Sequence, residues 1–125
     1  MAVIMITGML WFRIPEIIRI NLEGQLPKGV YAKDIILKVI GDLKADYAVY
    51  KAVEFTGPAV KPFSISERMT LCNMTTEMGA KTGYIQPDQN TFDFLKGRVK
   101  RDYKIFASDP DYLYGAEHSY DVSKC

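Results

Sequence analysis

A chain of 125 residues, 48% apolar and 25% charged, suits one domain with a real core. Sixteen Lys and Arg against fifteen Asp and Glu leave a net charge of +1, so no global field draws it to nucleic acid or to an anionic membrane. Two cysteines, Cys72 and Cys125, are too few for a disulfide framework, and a reducing, cytoplasmic location is the expectation.

The start, Met1 to Leu10, is apolar and short. It lacks a basic leading region, and Trp11-Phe12-Arg13-Ile14-Pro15 follows where a cleavage site would need small residues, so neither a signal peptide nor a membrane span is expected. Met1 to Ile6 has nothing in front to bury it. Either it frays and docks locally or the chain is cut from a longer one, and the abrupt stop after Ser119-Tyr120-Asp121-Val122 favours the second.

Ile18 to Glu23 alternates apolar and polar residues, which predicts a strand with one buried face. Ala32 to Leu43 carries Ile35, Ile36, Val39, Ile40 and Leu43 on one stripe, the pattern of an amphipathic helix. Val49 to Phe55 reads as a second strand, ended by Thr56-Gly57-Pro58. Strand, helix and strand with short links make a βαβ unit with a right-handed crossover. Ser64 and Glu67 fit a capping box opening a helix from Ile65 to Gly79. Tyr84-Ile85 predicts a brief strand. Pro87-Asp88-Gln89-Asn90 is a turn with a cap, and Thr91 to Lys96 a short helix placing Phe92 and Leu95 inward. Asp102 to Gly115 reads as loop, with a turn at Asp109-Pro110-Asp111, and Ala116 to Val122 as a last strand. The pattern is α/β: a three-layer α/β/α arrangement on a mainly parallel or mixed sheet.

Chemistry concentrates on the second of these helices, Ile65 to Gly79. At 3.6 residues per turn Ser66, Thr70, Asn73 and Glu77 share one strip, while Met69, Leu71, Cys72, Met74 and Met78 make the rest apolar. A helix apolar on most sides is expected to be buried, and an amide and a carboxylate on it then need partners or a polar cavity. Asn73 and Glu77 are therefore the first candidates for a site, with a capped structural pair as the other reading. Glu77 near a helix C-terminus calls for a cation, and Arg68 and Lys81 are in range along the chain. Glu54 lies opposite Val53 and Phe55 and reads more simply as an exposed strand acid than as a site residue. Asp109, Asp111, His118 and Cys125 read as solvated turn acids and an edge histidine rather than a metal site. Two distant cysteines cannot hold an iron–sulfur cluster. No phosphate-cradling glycine loop or nucleophile elbow is present. The basic run Lys96, Arg98, Lys100 and Arg101 beside Tyr103 reads as a solvated surface.

Cys72-Asn73-Met74-x-x-Glu77-x-Gly79-Ala80 resembles a segment of the aconitase superfamily. Thr7-Gly8-x-Leu10-Trp11-Phe12-x-Ile14-Pro15-Glu16, Leu26-Pro27-Lys28-Gly29-Val30-Tyr31-Ala32-Lys33-Asp34, Ala52-Val53-Glu54-Phe55-x-Gly57, Ser66-Glu67-Arg68-Met69-Thr70 and Ile85-x-Pro87-Asp88 followed by Thr91-Phe92 are similar to large subunits of the 3-isopropylmalate dehydratase and archaeal homoaconitase type. The resemblance runs nearly end to end. It implies a hydro-lyase that moves water between neighbouring carbons of a small hydroxy di- or tricarboxylic acid, in leucine or related amino-acid biosynthesis. It also implies a 4Fe-4S cluster held by three cysteines and a small-subunit partner. The amide and acid matching Asn73 and Glu77 would sit beside the cluster, the acid helping to hold the hydroxyl or water.

The departures bound this reading. The family's Gly-Ser-Cys-Thr-Asn, Cys-x-x-Cys and Asp-Ser-His-Thr motifs are missing, as are its arginines and serine base, and Cys72 is not expected to be a metal ligand. Residues 1–125 are thus expected to be one α/β domain of a longer subunit, inert alone, with no nucleic-acid or membrane partner. The other reading is a free-standing, non-catalytic α/β binding or scaffold module derived from the family.

Overall fold

A computed structural model describes residues 2–125; Met1, the first residue of the apolar start, lies outside them. The elements in order are α1 (Ala2–Thr7), β1 (Ile17–Glu23), α2 (Ala32–Leu43), β2 (Ala52–Thr56), α3 (Ile65–Met74), β3 (Thr82–Ile85), α4 (Gln89–Leu95) and β4 (Ala116–Asp121). The strands form one sheet in the order β3-β2-β1-β4, with every neighbouring pair parallel. The class is α/β, and β1-α2-β2 and β2-α3-β3 are two successive βαβ units.

One face of the sheet builds the core. Ile18 stands beside Val53 and Ile20 beside Phe55 in the β1–β2 register, so four buried side chains line up on one side. Ile35, Ile36 and Val39 of α2 pack on them, with Leu71 of α3 and Met78 just beyond it. Burying each such side chain contributes roughly 1.5–3 kcal/mol, and this cluster sets where α3 lies. Gly83 lets α3 approach closely: a Cβ there would sit 2.5 Å from the Cys72 Cα and 2.7 Å from its carbonyl oxygen.

The opposite face is more polar. A row of Tyr84, Glu54, Arg19 and Glu117 runs across all four strands in register, and the loop between α4 and β4 lies over it. The Tyr84 hydroxyl donates to the Phe106 carbonyl at 2.7 Å. Within residues 2–125 this loop covers that part of the sheet, held also by the Ser108 and Tyr114 hydroxyls on Glu54.

Three local expectations change. The second strand begins at Ala52 rather than Val49, because the chain turns at 47–50 and Tyr50 adopts a positive φ of 60°. Residues Ala2–Thr7 form a helix with no buried residue, so the apolar start does not dock on the core. The third helix is neither continuous to Gly79 nor buried on most sides. It tightens into a 3-10 turn, Thr75–Met78, after the Thr75 and Thr76 hydroxyls fold back to the Cys72 and Asn73 carbonyls at 2.7 and 2.9 Å. Hydroxyls bonded back this way bend helices. Gly79 then stops the turn at φ 82°.

Candidate functional site

The α3 helix starts from a complete capping box. Ser64 accepts from the Glu67 amide at 3.3 Å, and Glu67 accepts from the Ser64 amide at 2.8 Å. One side of the helix faces inward through Arg68 and Leu71, continued by Thr75 and Met78 of the next turn. Ser66, Met69, Asn73 and Glu77 point the other way and are exposed, Met69 to 55%. Hydropathy misleads here because Met69 counts as apolar yet faces solvent.

Asn73 and Glu77 are therefore surface groups in this chain. Neither side chain makes a hydrogen bond or ion pair among the described residues. The 3-10 tightening, at three residues per turn, also rotates Glu77 further round from Asn73 than an unbroken α-helix would. The two cations expected for Glu77 go elsewhere. The Lys81 ammonium lies 4.4 Å from the centre of the Tyr50 ring. Arg68 is turned inward.

Arg68 is buried and fully engaged. Its guanidinium donates to both carboxylate oxygens of Asp88, at 2.8 and 2.7 Å, while Nε reaches the Phe63 carbonyl at 3.1 Å and the second amino group the Lys61 carbonyl at 3.0 Å. Asp88 in turn caps α4 by accepting from the Thr91 amide at 3.3 Å. The Arg68 hydrogen bonds hold the Asp88 carboxyl below its usual pKa of 3.8. Arg68, Thr56, Gly57, Lys61 and Gln86 line a cavity of about 240 Å³ at the carboxyl ends of β2 and β3, where open parallel sheets tend to bind ligands.

Glu54 is not the exposed strand acid that alternation suggests. It is 2% exposed. Ser108 Oγ donates to one carboxylate oxygen at 2.8 Å and Tyr114 Oη to the other at 2.7 Å. Burial, and then the bond to Glu54, push the Tyr114 phenol above its ordinary pKa; burial and the Glu54 charge do the same to Tyr84. Arg19, the ladder neighbour of Glu54, pairs with Glu117 instead and lies 4.5 Å from the centre of the Tyr114 ring. The partners of Glu54 come from 54 and 60 residues further along the chain, too far for local pattern to reveal.

His118, on edge strand β4, meets the Tyr47 hydroxyl at 2.8 Å through Nε2. Asp109 lies near Glu54 on the other sheet face. No group of three or more potential metal-ligating side chains assembles among the described residues. Cys72 is half-buried on α3, and burial pushes its thiol up to about 11.

The geometry is that of a parallel α/β unit in which α3 and the 3-10 turn after it present an unpaired amide and carboxylate outward. Residues 1–122 match the family model described as Aconitase family (aconitate hydratase). The chain belongs to the aconitase family. It is 50% identical over 123 residues to 3-isopropylmalate dehydratase large subunit 1 of Methanopyrus kandleri, covering 98% of this chain and 29% of that protein. It is 54% identical over 122 residues to a probable methanogen homoaconitase large subunit of Methanosarcina mazei, again 98% of this chain and 31% of the relative. The Pyrococcus furiosus 3-isopropylmalate dehydratase large subunit 1 is 49% identical over 124 residues, 99% of this chain and 29% of that protein. The chain thus spans less than a third of the length of these relatives. No helix among the described residues is long and apolar enough to cross a membrane.

Proposed function

We propose that residues 1–125 form one α/β domain of a cytoplasmic hydro-lyase large subunit of the 3-isopropylmalate dehydratase or homoaconitase type. The observation that carries this reading is the close similarity, along nearly all of this chain, to large subunits so named, combined with Asn73 on α3 and Glu77 on the turn after it left exposed and unpaired. In this reading Glu77 accepts the hydrogen of the substrate hydroxyl and fixes its orientation. The Asn73 amide, with two donors and an acceptor oxygen, holds a neighbouring polar group of the same site. The sheet and the Arg68–Asp88 pair keep α3 rigid beneath them, which is what positioned groups need.

The family implies a 4Fe-4S cluster, and the residues of this chain do not fit one as ligands. Three or four thiolates are needed, whereas here there are two cysteines, and the Cys72 thiol stays protonated at neutral pH. The ligands then belong to parts of the subunit beyond these residues, and residues 1–125 alone are inactive. A separate small subunit completes the site, and the substrate is a small hydroxyacid.

The test is activity of the full-length protein with its small subunit on a panel of hydroxy di- and tricarboxylic acids, following the unsaturated product. Turnover of isopropylmalate or homocitrate supports the proposal; no turnover of any member contradicts it.

A further inference from the structure

On the sheet face away from α2 and α3, a cavity of about 400 Å³ lies between β2, β3 and the loop that covers them. Ile17, Ala52, Tyr84, Phe106 and Tyr112 give it mostly apolar and aromatic walls. Two carboxylates also line it, Glu54 and Asp109, and no Lys, Arg or His does.

Glu54 is the unusual group. A carboxylate taken out of water is costly unless its charge is matched. Here each oxygen accepts one hydroxyl, from Ser108 and Tyr114, and a carboxylate has roughly four acceptor positions. The remaining neighbours do not neutralise it. Tyr84 donates away, to the Phe106 carbonyl, and Arg19 is committed to Glu117. Among the described residues no cationic nitrogen stands within 4.0 Å of the Glu54 oxygens.

We propose that this cavity binds a small organic ammonium ion, its N–H groups on the free acceptor positions of Glu54 and its carbon chain between Phe106, Tyr84 and Tyr112. The charge of the lining selects a cation. The buried position of the acid favours a charge-assisted bond over a hydrated one, and aromatic faces attract the ammonium as well as its chain. This site lies on the opposite sheet face from α3 and stands whether or not Asn73 and Glu77 act as proposed.

The experiment titrates the full-length protein with n-butylammonium and, separately, with 1-butanol, which has the same chain and no charge, reading binding by calorimetry and aromatic NMR shifts. The ammonium is expected to bind about tenfold or more tighter than the alcohol, and Glu54→Gln is expected to remove that preference. Equal binding of the two, or an unchanged preference in Glu54→Gln, overturns the proposal. So does an absence of ammonium binding to the wild type, the result expected if a lysine from elsewhere in the protein already fills the cavity. Should Glu54→Gln fail to fold, Tyr112→Ala serves: it trims a wall side chain that is 39% exposed. It should weaken ammonium binding several-fold, and unchanged affinity counts against the site.

Discussion

Arg68 and Asp88, twenty residues apart, meet through two parallel hydrogen bonds at 2.8 and 2.7 Å and so join α3 to the start of α4. The pair carries a pH signature. The Asp88 carboxyl lies below its usual 3.8 in the folded chain, so it contributes stability above the unfolded value that is lost as pH falls through the folded one. Asp88→Asn should destabilise the protein at pH 7 and flatten the loss of stability between about pH 4 and the folded pKa. Chemical denaturation across that range checks it; an unchanged acid slope rules the pair out as its source.

Tyr114→Phe removes one of two hydroxyl donors to Glu54 and leaves a buried carboxylate underserved. The expected cost is about 1–3 kcal/mol, with faster proteolysis in residues 103–113, because the same bond fastens that loop to the sheet. Urea midpoints and limited proteolysis give the two readouts, and a neutral substitution would show that the loop is held by other contacts.

Gly83→Ala tests the approach of α3 to β3. The added methyl would lie 2.5 Å from the Cys72 Cα, and backbone on both sides leaves little room to yield. Overpacking of this kind typically costs about 1–3 kcal/mol. Gly41, whose added Cβ would meet nothing within 4 Å, is the control position, where alanine should be tolerated. Thermal unfolding of the two variants separates a steric effect from a general loss of glycine.

The Cys72 thiol, pushed up to about 11 by burial, should react with iodoacetamide at pH 8 on the order of a hundredfold more slowly than an ordinary thiol of pKa about 8.5. Mass spectrometry of peptides after timed alkylation measures this. Rapid labelling of Cys72 in the folded protein would mean that α3 opens readily.

Local signals carried much of the fold. The alternation of Ile18 to Glu23, the stripe of α2 and the Ser64 box mark elements whose periodicity is set by one buried face, and Ala32–Leu43 lies within the predicted bounds. What pattern cannot see is which apolar residue faces water when the helix has polar residues all round. Met69 made α3 look buried, and the break at Thr75 comes from local back-bonds of Thr75 and Thr76 to carbonyls three residues earlier, which hydrophobic periodicity does not register. Glu54 was misread for a related reason: its face is covered by a loop arriving from Ser108 and Tyr114. At the candidate site, Asn73 and Glu77 were legible as polar residues on one helix, while their exposure and the diversion of Arg68 to Asp88 depended on long-range packing.

The role of Glu77 is the central claim, and Glu77→Gln in the full-length enzyme with its small subunit tests it most directly. Steady-state turnover is compared with wild type after iron and sulfide content have been matched. The account predicts a fall in kcat of roughly 10²–10⁴-fold with cluster content and unfolding temperature unchanged. Turnover equal to wild type in that variant would contradict it.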